Sequence, residues 1–509
     1  MTPSFNAKEA TKLLLAQAAP FLLTRFIEVG SDFGAMMMLA NLGDSELAAS
    51  ALISSVQAFL RGVFATNLYS VAILSAGLIG AANLKEKEKD FATAAMKNQE
   101  VGYFYRAGLK LAFLSSVIPI LISVFIGKIL QVGRQSKISS DLAQDYFRGY
   151  VFSFFPNLIF VVHQQIAQAA GCPWTVFSFT LLNRVITLGV AACLMYQTNM
   201  GAKGLGYGYA VGAALSATAF MGYLYCHQHF SKYRLFKSQV LLQASDPTLP
   251  IKSPMRKLLD VGWPIAGYAT AELGSILFLT GLLGALSDSF LKMAQPSLQY
   301  TSFLANLIFA FGQGAATLLS RLYGEKKNLE AQKVGGLSIV LGFVLPFSLL
   351  ILSFAIPNQM NAAFIQKDED VSIFLGAQWF LIAGFSTQLF DALRNMSAGT
   401  NRGLAGPKCI GPVMSRAPML QTIFGILCIN IPLSLGLAYG LSLGGKAAFI
   451  GRGCAIAMSS GMIFDTWLKT KSRPTDNKLT LAQVFFPRIF PVGRLPVVDQ
   501  SETEPCLPK

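Results

Sequence analysis

The chain has 509 residues, of which 53% are hydrophobic and only 13% are charged, and its mean hydropathy is +0.49. Soluble proteins carry about a quarter charged residues, so this composition excludes an ordinary soluble fold. The net charge of +15 would be compatible with nucleic-acid binding in a soluble protein, but here the basic residues gather in connections between apolar stretches, which disfavours a nucleic-acid partner.

Apolar stretches of about 20 residues recur along the whole chain, and as helices they are long enough to cross the hydrocarbon core of a bilayer. Backbone polar groups must be paired internally in lipid, so we predict helices. In chain order, the roughly twelve predicted spans are Leu13–Leu39, Leu47–Leu74, Ala107–Leu130, Tyr146–Ala170, Thr175–Tyr196, Gly204–Tyr225, Val261–Leu286, Pro296–Leu319, Gly335–Ile356, Ile373–Ala398, Ala417–Leu441 and Ala448–Leu468.

Basic residues are concentrated in alternate connections between these spans and in the tails. The clearest groups are Lys85, Lys87 and Lys89 after the second span, Lys232, Arg234 and Lys237 after the sixth, and Lys326, Lys327 and Lys333 after the eighth. The intervening connections, such as NLGDSE and QKDEDVS, are short and acidic or mixed. This asymmetry predicts a cell membrane protein, in a bacterial inner or plasma membrane, with both termini in the cytoplasm. The basic connections are expected to contact anionic membrane lipid.

The chain matches itself at an offset of 244 residues. The matched pairs include Pro20 with Pro264, Glu28 with Glu272, Gly30 with Gly274, and Gly80 with Gly324. Further along, the offset becomes 228, and His163 then corresponds to Asp391. Six predicted helices separate equivalent positions, which is an even number, so the two halves are predicted to be parallel repeats related by an axis along the membrane normal.

The predicted fold is therefore an all-α integral membrane protein with twelve transmembrane helices in two six-helix lobes around a central cleft. Residues 1–230 form the N-terminal lobe, 231–260 a cytoplasmic linker, 261–468 the C-terminal lobe and 469–509 a cytoplasmic tail. The change of offset is assigned to residues 83–106, NLKEKEKDFATAAMKNQEVGYFYR, which we predict to be a long cytoplasmic loop.

Each lobe carries a carboxylate inside its first span, eight residues after a proline: Glu28 after Pro20, and Glu272 after Pro264. An ionised carboxylate at the centre of a membrane helix is penalised by about 3 kcal/mol or more on insertion scales, so intramembrane acids are candidates for a functional site. No catalytic motif accompanies them, and an enzyme is not predicted.

Four stretches of the chain resemble the multidrug and toxic compound extrusion (MATE) family: LANLGDSELAAS, GWPIAGYATAE, QQIAQAAGCP and DALRNMSAGTNRGLAGP. The resemblance covers nearly the whole chain up to about Leu468. It implies a twelve-helix, two-lobe antiporter that couples inward movement of Na⁺ or H⁺ to the export of small organic compounds, often cationic ones. It implies no cofactor beyond the coupling ion, and a single chain is expected to be the functional unit.

The resemblance also implies roles for individual residues. Glu272 and Asp391 match the two acids that bind the coupling cation in the C-terminal lobe of the sodium-coupled branch. The family's aspartate in the first helix, fifteen residues after the proline, is replaced here by Ala35. Asp32 is the nearest candidate to take over its role.

In the N-terminal lobe, Arg25, Glu28 and Asp32 are spaced so that they share one helix face. Either Glu28 or Asp32 takes protons or substrate, or Arg25 neutralises one of them and the cluster only links helices. If Arg25 pairs with Glu28, Asp32 is left as a free acid that favours cationic compounds. His163 is a further proton candidate, and its alternative role is that of a hydrogen-bonded packing residue.

In the C-terminal lobe, Arg394 lies three residues after Asp391, so an internal ion pair is an alternative to cation binding. Glu272 has no basic residue within a turn on its own helix and is expected to be free, unless it is a protonated structural residue. The four acids and the arginines Arg25 and Arg394 would then give the cleft a charge of about −2.

Other residues at membrane depth have two interpretations each. Tyr300, Gln295, Arg25 and Arg394 are candidates to line the substrate cleft, and interfacial anchoring is the alternative for Tyr300 and Gln295. Arg61, Arg184 and Arg452 either extend to the interface or pair with acids. A flippase for a lipid-linked precursor on the same two-lobe plan is the alternative function, and a positively charged cleft would favour it.

Overall fold

Regular secondary structure in the described part of the chain is helical. The computed structural model describes residues 7–42, 44–132, 137–236, 253–362, 371–405 and 413–470, and these ranges contain helices and no strand. The helices of the first half are α1 Ala7–Ala40, α2 Asp44–Asn67, α3 Ser70–Lys87, α4 Phe91–Val124, α5 Ile126–Val132, α6 Lys137–Tyr150, α7 Phe154–Ala169, α8 Pro173–Ala192, α9 Gly201–Cys226 and α10 Gln228–Ser231. Those of the second half are α11 Pro254–Leu286, α12 Asp288–Gly324, α13 Asn328–Gly342, α14 Val344–Ala355, α15 Pro357–Ala362, α16 Val371–Gly403, α17 Val413–Gly425, α18 Ile431–Leu435 and α19 Lys446–Thr470.

Eleven helical segments of the described residues are long and apolar enough to cross a membrane, and each contains most of one predicted span. The remaining prediction, Tyr146–Ala170, corresponds to α7 and the end of α6, which are joined by the 3₁₀ turn Val151–Ser153. The protein is thus an integral membrane protein. Its outer surface agrees with this, because large apolar side chains such as Phe113, Phe347 and Phe354 are more than half exposed.

The predicted loop over residues 83–106 is wrong. α3 continues to Lys87 and α4 begins at Phe91, so only the turn 88–90 separates them. Asp90 caps α4 by accepting a hydrogen bond from the Thr93 N–H at 3.2 Å. The charged residues that indicated a loop instead form helix ends, because α4 has 34 residues and a span needs only about 20.

Two predicted segments fall largely outside the described residues. Residues 237–252 of the predicted linker and 471–509 of the predicted tail belong to this group. α11 begins at Pro254, with Ser253 as its N-cap, so the first helix of the second half starts inside the predicted linker.

The two lobes contact each other through equivalent helices. α1 packs on α12, where the rings of Phe26 and Phe303 lie 5.9 Å apart, and α11 packs on α2, where Leu273 reaches Gly62. Because α1 and α11 are repeat equivalents, as are α2 and α12, each contact is the counterpart of the other. This arrangement is what a parallel duplication produces.

Close contact between the lobes is concentrated near the membrane side at which α1 begins, which we call the basal face. The repeat-related glycines Gly80 and Gly324 lie here on α3 and α12. A Cβ atom at Gly80 would collide with the carbonyl oxygen of Arg321, and one at Gly324 would collide with that of Gly77. Only glycine allows the two backbones to approach this closely.

Hydrogen bonds reinforce the basal contact. The Ser320 hydroxyl donates to the carbonyl of Ile73 at 2.7 Å, and the Asn83 amide donates to Glu325 at 3.2 Å. Towards the opposite, distal face the equivalent glycines Gly30 and Gly274 are open, because a Cβ at either would meet no atom within 4 Å. The lobes are therefore in direct backbone contact at the basal face, and Gly30 and Gly274 make no such contact towards the distal face.

The basal contact gives a first prediction. Gly80→Ala should force α3 and α12 apart, because a backbone carbonyl cannot move aside as a flexible side chain can. Overpacking of this kind costs about 1–3 kcal/mol, which should shift the population away from the basally closed form roughly 5- to 150-fold. The measurement is the yield of disulfide cross-linking between Asn83→Cys and Glu325→Cys in a cysteine-free background.

The matched control is Gly222→Ala on α9, where an added Cβ meets no atom within 4 Å. Cross-linking should stay at the parental yield in that variant. An unchanged yield in Gly80→Ala would show that the glycine contact does not hold the basal face closed.

Candidate functional site

Charged side chains at membrane depth form one group in each lobe. We define the N-lobe cluster as Arg25, Glu28, Asp32, Arg61 and Arg184, and the C-lobe cluster as Glu272, Asp391, Arg394, Arg402 and Arg452. Both clusters include the proline-containing first helix of their lobe, α1 with Pro20 and α11 with Pro264. Glu28 and Glu272 each lie eight residues, about two turns, after the proline of their helix.

Asp32 is the most highly coordinated acid of the N-lobe cluster. Its Oδ2 atom lies 2.6 Å from Nη2 of Arg61, on α2. Its Oδ1 atom lies 2.9 Å from Nη1 of Arg184, on α8, and accepts a hydrogen bond from the Tyr209 hydroxyl, on α9, at 2.9 Å. The expectation that Asp32 is a free acid is wrong, because two arginines that are distant in sequence converge on it.

Arg25 joins the N-lobe cluster to the other lobe. Its Nη1 atom lies 2.6 Å from Oε2 of Glu28, as expected for residues three apart on a helix. Its Nη2 atom donates to Oδ1 of Asn306, on α12, at 2.8 Å. The pairing of Arg25 with Glu28 is thus confirmed, and the same guanidinium also spans the boundary between the lobes.

Arg394 lies between two carboxylates in the C-lobe cluster. Its Nη2 atom is 2.5 Å from Oδ1 of Asp391 and 3.1 Å from Oε1 of Glu272. The Asp391 contact is an ion pair whose N–H groups are not aligned as hydrogen bonds, since neither Asp391 oxygen has a hydrogen-bond partner among the described residues. The expectation that Glu272 is free is wrong, because Arg394 reaches it from α16.

The other two arginines of the C-lobe cluster form no ion pair with a described carboxylate. Arg402 stacks on the ring of Tyr268, with its Cζ atom 4.6 Å from the ring centroid, and it is almost fully buried. The Tyr268 hydroxyl donates to Oδ1 of Asn395 at 2.9 Å. Arg452 on α19 is also buried, and its Nε atom has no hydrogen-bond partner among the described residues.

The buried arginines reverse the expected sign of the charge. Each cluster contains three guanidinium groups and two carboxylates, which leaves one positive charge per cluster. The predicted cleft charge of about −2 is therefore wrong for the full set of buried groups. It omitted Arg61, Arg184, Arg402 and Arg452, whose proximity to the acids depends on tertiary packing.

The remaining predicted residues lie apart from the two clusters. His163 is fully buried, and its ring packs 5.9 Å from that of Tyr105 and 5.7 Å from that of Phe220. Neither ring nitrogen has a hydrogen-bond partner among the described residues, so His163 packs without the predicted hydrogen bond. The Tyr300 hydroxyl donates to the carbonyl of Met360 at 3.3 Å, and Gln295 is exposed.

Several residues that contact the clusters were not recognised as site residues in the sequence. Tyr209 and Asn306 carry no local signal, because each reaches its partner across the fold. Tyr268 and Asn395 do carry one, since they stand four residues before Glu272 and four residues after Asp391 on the same helix faces. A search for polar residues one turn from each acid would have found them.

A family profile places the chain among known proteins. The MatE profile matches residues 20–193 and again residues 264–435, which together cover more than half of the chain. The chain belongs to the MatE family. The two matches begin at Pro20 and Pro264, so each lobe of this MatE protein is one copy of the family's repeat. Members of this family are transporters, so the protein is a transporter and not an enzyme.

Individual relatives agree with this assignment. A protein from Deinococcus radiodurans named probable multidrug resistance protein NorM is 22% identical over 451 residues, covering 88% of this chain and 93% of its own. The crystal structure of the eukaryotic MATE transporter AtDTX14 superimposes with a TM-score of 0.75 at 18% identity, over 92% of this chain and 99% of its own. A transporter from Pyrococcus furiosus, whose structure is described as having a binding pocket of reversed polarity, superimposes with a TM-score of 0.71 at 15% identity, over 92% of this chain and 96% of its own.

The C-lobe cluster gives a second prediction. Arg394→Met should destabilise this MatE protein by about 3–5 kcal/mol, because it leaves Asp391 and Glu272 as uncompensated buried charges. The additional changes Asp391→Asn and Glu272→Gln should restore most of the loss. The measurement is the apparent melting temperature of the purified protein in detergent.

Lys469→Met is the matched control, since Lys469 forms an exposed ion pair with Asp465 at 2.6 Å. It should leave the melting temperature unchanged. Equal stability of Arg394→Met and the parent would show that Arg394 does not neutralise the two acids.

Proposed function

We propose that this MatE protein is a secondary antiporter that exports small organic compounds and is driven by an inward proton gradient. The names of its relatives as multidrug resistance proteins support export of several compounds. The closed basal contact, with Gly30 and Gly274 uncovered towards the distal face, supports alternating access by rocking of two lobes. Na⁺ is the alternative coupling ion that the family resemblance implies.

The observation that carries the proposal is the sharing of Arg394. A single guanidinium nitrogen contacts both Asp391 and Glu272. One positive charge faces two negative charges, so these three side chains together have one uncompensated negative charge. That charge is available to a cation, and the energy of binding one is large because the surroundings exclude water.

A proton fits this arrangement better than Na⁺ does. A proton needs one carboxylate oxygen, whereas Na⁺ would need several oxygen ligands next to the Arg394 guanidinium and would be repelled by it. Protonation of Glu272, which is 12% exposed, would leave Arg394 paired with the fully buried Asp391. Binding and release of that proton would alter the contact between α11 and α16, and α11 also packs on α2 of the other lobe.

The proposal extends to orientation and assembly. The basal face, at which α1 and α11 begin, is assigned to the cytoplasm, because the basic connections lie there. The closed basal contact then corresponds to a cleft that faces outward. One chain is proposed to be the functional unit, because it contains both lobes, and its basic connections are proposed to contact anionic membrane lipid.

A flippase for a lipid-linked precursor is a second candidate on the same plan. The single positive charge left in each buried cluster favours it, because phosphate groups of such lipids would be attracted to arginine. Lipid scrambling assayed in the same vesicles as dye transport distinguishes the two functions.

The proposal gives a third prediction. In proteoliposomes, Glu272→Gln should abolish proton-driven dye export while leaving expression and melting temperature close to those of the parent. The substitution keeps the shape of the side chain and removes the charge that takes the proton. The measurement is dye flux with a pH gradient and, separately, with a Na⁺ gradient.

Glu100→Gln is the matched control, because Glu100 is a carboxylate outside both clusters and is paired with Lys97 on α4. It should retain coupled export. Full proton-driven flux in a folded Glu272→Gln protein would refute the coupling assignment. Flux in the parent that is driven only by a Na⁺ gradient would identify Na⁺ as the coupling ion.

A further inference from the structure

We propose that the N-lobe cluster is a binding site for an anionic group, a carboxylate in the first instance, on the transported compound. This inference deepens the proposed function, because it assigns a substrate class to the N-terminal lobe. It differs from the expectation, based on the acids in the sequence, that the substrates are cationic.

The charge balance of the N-lobe cluster is the first step. Arg25, Arg61 and Arg184 supply three positive charges, and Glu28 and Asp32 supply two negative ones. The remaining positive charge lies at membrane depth, where an uncompensated ion is costly. A monovalent anion would make the cluster neutral, whereas a cation would raise its charge to about +2.

Hydrogen-bond donors are available for such an anion. The Nε atoms of Arg25 and Arg184 and the hydroxyl of Tyr150 are buried and have no hydrogen-bond partner among the described residues. Tyr150 is fully buried, and its ring lies 5.4 Å from that of Tyr209, which itself bonds to Asp32. Arginine and tyrosine donors of this kind match carboxylate oxygens.

Access separates this cluster from the one in the C-terminal lobe. The side chains of Arg25 and Arg61 are 25% and 18% exposed, whereas that of Arg394 is 2% exposed. The face of Arg402 is already covered by Tyr268. The positive charge that a compound can reach is therefore in the N-terminal lobe, and the C-terminal lobe remains the coupling centre.

Arg25 would connect binding of the anion to movement of the lobes. Its guanidinium holds Glu28 in its own lobe and Asn306 in the other. An anion that draws Arg25 away would release the contact with Asn306, which joins α1 to α12. Occupancy of the cluster would thereby weaken one of the contacts that link the two lobes.

Binding to purified protein in detergent tests this inference without requiring transport. The probes are 5-carboxyfluorescein, which carries carboxylates, and a cationic xanthene dye of similar size, each followed by fluorescence anisotropy. Arg184→Gln should weaken binding of carboxyfluorescein at least tenfold, because it removes the excess charge and one donor. Asp32→Asn should strengthen it several-fold, because it adds to the positive charge.

Arg148→Gln is the matched control, because Arg148 is a 61% exposed arginine of the same lobe, paired with Asp145. Its carboxyfluorescein affinity should equal that of the parent. A purely structural role for the cluster would make Arg184→Gln and Asp32→Asn weaken binding together. Opposite shifts are therefore the signature of an anion site.

The inference is overturned if the parent binds the cationic dye more tightly than carboxyfluorescein, or if Asp32→Asn weakens the binding of carboxyfluorescein. Competition by a fluorescent phosphatidylglycerol that depends on Arg184 would support the anion site, identify its occupant as lipid and favour the flippase. Failure of the proposed function is separate, since it appears as an absence of gradient-driven flux in vesicles whatever the binding result.

Discussion

An ionised side chain in hydrocarbon must be neutralised by a partner within a few ångströms, and the two lobes of this protein are built around that requirement. Asp32 receives Arg61, Arg184 and Tyr209 from three different helices. Arg394 is held between Asp391 and Glu272. These contacts cross-link α1 to α2, α8 and α9, and α11 to α16. The neutralisation is incomplete by one charge in each cluster, and both proposed binding sites rest on that imbalance.

The net charge in the C-lobe cluster has opposite signs depending on which side chains are counted. Taken as the contacting trio, Glu272, Asp391 and Arg394 lack one positive charge, which supports the proposed proton site. Taken with Arg402 and Arg452, the same lobe has one positive charge too many. The distinction is one of distance, because Arg402 is engaged by the ring of Tyr268 and neither arginine forms an ion pair with a described carboxylate. In the proposed function, the proton would respond to the direct contacts of the trio, and a larger ion would respond to the summed charge of the whole cluster.

The duplication explains the shared helices, acids and glycines of the two lobes, but it does not explain where the arginines lie. Glu28 and Glu272 are repeat equivalents, and so are the glycines that let α3 and α12 approach each other at the basal face. The positions equivalent to Arg25 and Arg61 in the second half are Ala269 and Ala305. The two lobes therefore keep the same acid but surround it with arginines from different helices. Under the proposed function, this difference would allow one lobe to handle the coupling ion while the other recognises the compound.

Much of the architecture follows from the sequence, because hydrocarbon imposes a length and an apolar composition on every span. Eleven of the twelve predicted spans are found as separate candidates, and the repeat is confirmed by the two MatE matches. Residues 83–106 were misjudged because charged residues are as stable on a helix end beyond the lipid as in a loop.

The sequence by itself also determined which acids lie at membrane depth, and it placed Arg25 beside Glu28, since both lie on one helix face. Only the tertiary structure decided which arginines pair with Asp32 and which arginine pairs with Glu272. Their partners come from helices far away in sequence, Arg184 being 152 residues from Asp32, and no periodicity within a helix records which neighbours it will have. The sign of a buried site is a sum over all such neighbours, so it appears only when the helices are packed.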